Sequence, residues 1–135
     1  MGVYSRGDRV RNIINLRLAE AASLDHDQLE VLYVQLGPTG ADRIVNRAME
    51  DLATSLSQVE KHFSAGRMND VRSGIANLAE IAGQIGMASL AKVACDAMVL
   101  THGHDGPALC AVMARLVRIG ECSLVAVWDL QDMTV

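Results

Sequence analysis

A chain of 135 residues, half of them hydrophobic but only 3% aromatic, holds one compact domain whose core must come from Leu, Ile, Val, Ala and Met. That composition suits close-packed helices and disfavours a β-sandwich, which draws on β-branched and aromatic residues. A net charge of −4 lacks the basic footprint of non-specific nucleic-acid binding, and no run of about 18 apolar residues offers a membrane span.

Helical periodicity dominates and strand alternation is almost absent. The first predicted helix runs from about Asp8 to Ser23, with Asp8 as N-cap and Val10, Ile13, Ile14, Arg17, Leu18 and Ala21 on one face. A shorter one starts after Asp25 or Asp27, places Leu29, Leu32, Tyr33 and Leu36 on one side, and stops at Gly37-Pro38, the clearest break in the chain. Thr39 with Asp42 then resembles a capping box for a long helix from about Gly40 to Ala65. Its stripe is Ile44, Val45, Ala48, Leu52, Leu56, Val59 and Phe63, and Gly66 follows as the C′ residue.

Asn69 is the expected cap of the next helix, striped by Val71, Ile75, Leu78, Ala82 and Ile85 and ended by Gly86. Another carries Leu90, Val93, Ala94, Ala97 and Met98 and dissolves at Thr101-His102-Gly103-His104. The last begins near Asp105, with Pro107 in its first turn, and shows Leu109, Val112, Met113, Leu116 and Ile119 on its way to Trp128. Short links between long amphipathic helices force antiparallel neighbours. The expectation is an all-α fold: an antiparallel up-down four-helix bundle over residues 38–135, preceded by an N-terminal helical hairpin over residues 1–37.

Cys95, Cys110 and Cys122 are odd in number, widely spaced and set in apolar helical stretches. They read as buried small hydrophobes in a reducing compartment. The polar, charged start MGVYSRGDRVRN is unlike a secretory signal, and Arg6 stands where myristoylation wants Ser or Thr. A cytoplasmic protein is expected.

Motifs for chemistry are few. Thr101-His102-Gly103-His104-Asp105 superficially resembles the His-x-His-x-Asp-His zinc motif, but Asp105 follows His104 directly. His26 and His62 supply no obvious third ligand, and zinc catalysis needs three. No metal site and no cofactor is expected. No nucleophile elbow, Walker loop or dinucleotide glycine pattern occurs. Glu50-Asp51 and Asp129 with Asp132 sit on polar helix faces, where solvation accounts for them.

One segment stands apart: DVRSGIANLAEIAGQIGMASL, from Asp70 to Leu90. It resembles the core of histidine-containing phosphotransfer (Hpt) domains, where one helix carries His-x-Leu-Lys-Gly, then small residues, an apolar residue and Gly, and a Leu four residues later. With Gly86 on the helix-ending glycine, Leu78 falls on the family Leu, Ala82 and Gly83 on the small residues, Ile85 on the apolar one and Leu90 on the final Leu. Met49 to Phe63 and the following turn resemble the preceding family helix, so the likeness covers roughly Ala41 to Leu130.

The register implies a degenerate member. Ala76 takes the phosphoacceptor position, Ala79 the lysine position and Glu80 the glycine after it. A methyl group accepts no phosphoryl group, the balancing cation is gone, and a carboxylate sits one turn away. The resemblance therefore implies a non-catalytic pseudo-phosphotransfer protein, not an enzyme. It would dock a response-regulator receiver domain or a histidine kinase through Arg72, Ser73, Ala76, Asn77, Ala79, Glu80 and Gly83. Two alternatives stay open. One is a structural module that dimerises through its N-terminal hairpin. The other is an active phosphotransfer protein using His62, His102 or His104.

Overall fold

The computed structural model describes residues 24–133; the predicted helix over Asp8 to Ser23 lies outside them. Among the described residues the chain is all-helical, with four helices and no strand. They are α1 (His26–Ser64), α2 (Met68–Gln84), α3 (Ala88–Thr101) and α4 (Gly106–Met133). Each packs on the next, and α4 returns to α1.

The two segments expected on either side of Gly37-Pro38 meet without a loop. Gly37 alone leaves the helical region, with φ 75° and ψ 166°, and the helix resumes at Pro38. Proline lacks the N–H that would bond back, yet its fixed φ suits the start of the next stretch. Thr39 and Asp42 therefore cap nothing. The Asp42 carboxylate instead accepts a hydrogen bond from the Tyr33 hydroxyl, bracing the two stretches across the kink.

The predicted ends at Gly66 and Gly86 are αL turns of one kind. Both glycines have φ 73°. The residue after each donates back five positions, Arg67 N–H to the His62 carbonyl at 2.9 Å and Met87 N–H to the Ala82 carbonyl at 2.8 Å, the Schellman arrangement. Asp105, near which the last helix was expected to begin, caps α4, its carboxylate accepting from the Ala108 N–H at 3.0 Å. Asn69 does not cap α2. The N-cap is Arg67, with no side-chain bond, and the Asn69 amide oxygen accepts from the Arg72 guanidinium at 3.0 Å.

The core is aliphatic throughout. Leu52, Ile75, Leu78, Ile85, Met87, Leu90 and Leu116 are its largest fully buried side chains. Most expected stripe residues face it, but Ile44 and Leu36 lie nearly half exposed. At the α1–α2 crossing Gly74 lets the helices approach closely, for a Cβ there would overlap the Val59 methyl Cγ2. The cysteine reading fails. Cys95 and Cys110 are exposed and Cys122 is half-buried, and all three are free thiols. They sit on or beside the boundary of an apolar face rather than within it, a placement that periodicity alone resolves poorly.

The start of α1 is docked on the α2–α3 turn. Asp25 donates its N–H to the Gly86 carbonyl at 2.6 Å, and its side chain caps α1 by accepting from the Gln28 N–H at 3.1 Å. The Gln28 side-chain amide donates to the Gly83 carbonyl and, at 3.1 Å, to the Gln84 carbonyl. It thus satisfies acceptors that the last turn of α2 leaves without helical partners. Leu29 enters the core beside it.

Candidate functional site

Helix α2 divides its residues by angle. Val71, Ile75, Leu78, Ile81 and Ala82 turn inward and are buried. Ser73, Ala76, Asn77, Glu80 and Gly83 form the opposite, exposed stripe. The remaining two residues of the expected docking face, Arg72 and Ala79, are half-buried on its flanks, and Ala79 packs against the core cluster. Ala76 presents its methyl group to solvent in the middle of the helix.

The polar groups on this stripe are mostly engaged. Arg72 bridges its own helix to the end of α3, donating to Asn69 and, at 2.9 Å, to the Thr101 carbonyl. A cation at a helix C-terminus also opposes the helix dipole favourably. The Ser73 hydroxyl donates to the Asn69 carbonyl one turn back, at 3.1 Å. Asn77 reaches across to α1, where its amide donates to the Ser55 hydroxyl at 2.6 Å. The Gly83 carbonyl accepts from Gln28.

Beside the stripe, α1 and α2 leave a polar groove of about 320 Å³ lined by Asp51, Thr54, Ser55, Asn77, Glu80 and Gln84. Sequence marks Asp51 only as half of a solvated carboxylate pair and does not single out Thr54 and Ser55. One signal did exist: Ser55 sits among the inward positions Leu52, Leu56 and Val59, and a polar residue there requires a partner. The two ionisable groups of the groove, Asp51 and Glu80, are both acidic. The stripe's cation, Arg72, is directed to the α3 end.

The described histidines lie elsewhere. His26 is the first residue of α1 and borders an apolar groove. His62 is in the last turn of α1, half-buried, with its Nδ1 3.9 Å from the Asp70 carboxylate. His102 and His104 are exposed in the α3–α4 turn. That turn is close to the start of α2, since Arg72 bonds to the adjoining Thr101, four residues and about 6 Å of helix rise before Ala76. Among the described residues no three His, Cys, Asp or Glu side chains group as a metal site, and no helix is long and apolar enough to cross a membrane. Compared with known proteins, the chain matches no family model, no curated protein and no solved structure.

Proposed function

We propose that the four helices form an antiparallel up-down bundle of the histidine-containing phosphotransfer type, acting as a pseudo-phosphotransfer module. On this reading the exposed stripe of α2 docks a receiver domain or a histidine kinase of a phosphorelay, and no phosphate is carried. The observation behind it is Ala76: a solvent-facing methyl group at the centre of α2, on a face of small side chains that another protein can approach closely. Turns of three residues after α1 and α2 support the antiparallel order, and the acidic groove supports the absence of phosphate chemistry.

The test pairs binding with labelling. Titrating purified receiver domains calorimetrically should identify one that binds. Ala76→Arg should weaken that binding at least about tenfold while leaving the unfolding midpoint unchanged, because Ala76 is exposed and arginine is a good helix former. Incubation with the phosphorylated receiver should leave the chain unlabelled. Acid-labile label on the chain would replace this reading with phosphotransfer through a relocated histidine. No binding across receivers and kinases would leave a structural module.

A further inference from the structure

Helix α4 carries two apolar faces. One, with Val112, Leu116, Ile119, Leu124 and Val127, is buried in the core. The other follows steps of three and four residues through Cys110, Ala114, Val117, Val125 and Trp128, broken only by Glu121. It extends over about 27 Å of helix. Val117 is half-buried on it and the rest are exposed, Val125 by 39% and Trp128 by 54%. A helix apolar on a second face is ordinarily covered there, and tryptophan is among the side chains most enriched in protein interfaces.

Two features of this face identify what covers it. At its N-terminal end Cys110, Met113, Ala114 and Val117 join Phe63 of α1 around a groove of about 390 Å³, with the exposed Glu60 beside them. At its other end stands Trp128, the kind of bulky, rigid anchor that fills such a groove. The exposed charges divide in the same way: Arg115 and Arg118 in the first half of α4, Glu121, Asp129 and Asp132 in the second. Among the described residues none of these five is in an ion pair. A parallel copy of this helix would set arginine on arginine and aspartate on aspartate, whereas an antiparallel copy sets arginine on aspartate. The face is complementary to itself.

We propose that two copies of the chain pair through antiparallel α4 helices about a two-fold axis near Glu121, each seating Trp128 in the other's α1–α4 groove. In that register the indole lies over the small Ala114 of the second copy, and Val125 lies over its Val117. Arg115 comes within about 3 Å of helix rise of the second copy's Asp129, and Arg118 within one turn of its Glu121. The Glu60 carboxylate supplies the acceptor that a buried indole N–H requires. Each copy offers the same patch to the other, so the contact closes at two chains. The inference does not depend on any phosphorelay role.

The full chain carries its own reporter, because Trp128 is its single tryptophan. Light scattering should find two chains per particle at high concentration and one on dilution. Tryptophan emission should move to longer wavelength over the same concentrations. The Cys110 thiol should react several-fold more slowly in the dimer than in dilute solution, while Cys95, on α3, is unchanged. Trp128→Ala should raise the dissociation constant at least about tenfold and leave the unfolding midpoint of the dilute chain where it is, since the side chain is exposed. Arg115→Glu should weaken pairing, and adding Asp129→Arg to the same chain should restore it. A chain that stays monomeric up to about millimolar concentration would overturn the proposal. So would a dimer that Trp128→Ala leaves intact, or emission that does not change as the dimer dissociates, which would place Trp128 under residues of its own chain.

Discussion

Replacing Gly86 by alanine probes how firmly the start of α1 is held on the α2–α3 turn, and Gly66 supplies the matched control. Both glycines close Schellman turns at the same φ of 73°, so alanine meets the same backbone penalty at each, about 1 kcal/mol. Their surroundings differ. A Cβ at Gly66 meets nothing within 4 Å, whereas at Gly86 it would stand 2.8 Å from the Asp25 carbonyl oxygen. Restoring ordinary contact requires a shift of about 0.6 Å between those backbones. That shift strains the 2.6 Å bond from Asp25 N–H to the Gly86 carbonyl and the paired bonds from Gln28. Losing one or two such bonds costs about 1 kcal/mol each. Gly66→Ala should therefore cost about 1 kcal/mol and Gly86→Ala about 2–3 kcal/mol. With a urea dependence of about 1.5 kcal/mol per molar, the two unfolding midpoints should separate by roughly 1 M. Gln28→Ala, made alone, should reproduce about 1 kcal/mol of the same loss. Equal midpoints for the two glycine variants would show that the start of α1 is not seated on the turn and would refute the reasoning.

Gly74→Ala should destabilise by about 1–3 kcal/mol by overpacking, since the added methyl meets the stiff, fully buried Val59; urea denaturation measures it. Burial first, and the Asp42 carboxylate second, hold the Tyr33 hydroxyl pKa above its ordinary value. The unfolded chain then loses that proton at lower pH than the folded one. The contribution of Tyr33 should be fully present below pH of about 10 and decline above it, as a raised folded-state pKa requires. Tyr33→Phe should flatten that alkaline decline in pH-dependent denaturation curves. Thiol titration of the native protein should find Cys95 and Cys110 reacting quickly and Cys122 more slowly, with all three equal after unfolding.

Much of the fold was legible because it is local. The i, i+3, i+4 spacing of Val71, Ile75, Leu78 and Ala82 states which side of α2 is inward, and by exclusion that Ser73, Ala76, Asn77 and Glu80 face out. Gly66 and Gly86 announce αL turns because other residues resist positive φ. That residue 76 carries only a methyl group follows from residue identity alone. None of this needs knowledge of what lies across the helix.

The tertiary structure decided where polar side chains found partners. Asn69 was expected to cap α2, but the helix starts one residue earlier, at Met68, and the Asn69 oxygen accepts from Arg72, which is tied to the end of α3. Asp42 looked like a cap and instead accepts from Tyr33 across a kink. Gln28, unremarked in the sequence, closes the end of a helix 55 residues away, and Ser55 meets Asn77 only because α1 lies against α2. Spacing along a chain specifies the direction in which a side chain points. Which donor or acceptor waits there is set by the packing of apolar faces between helices, and local capping preferences of about 1 kcal/mol yield to it.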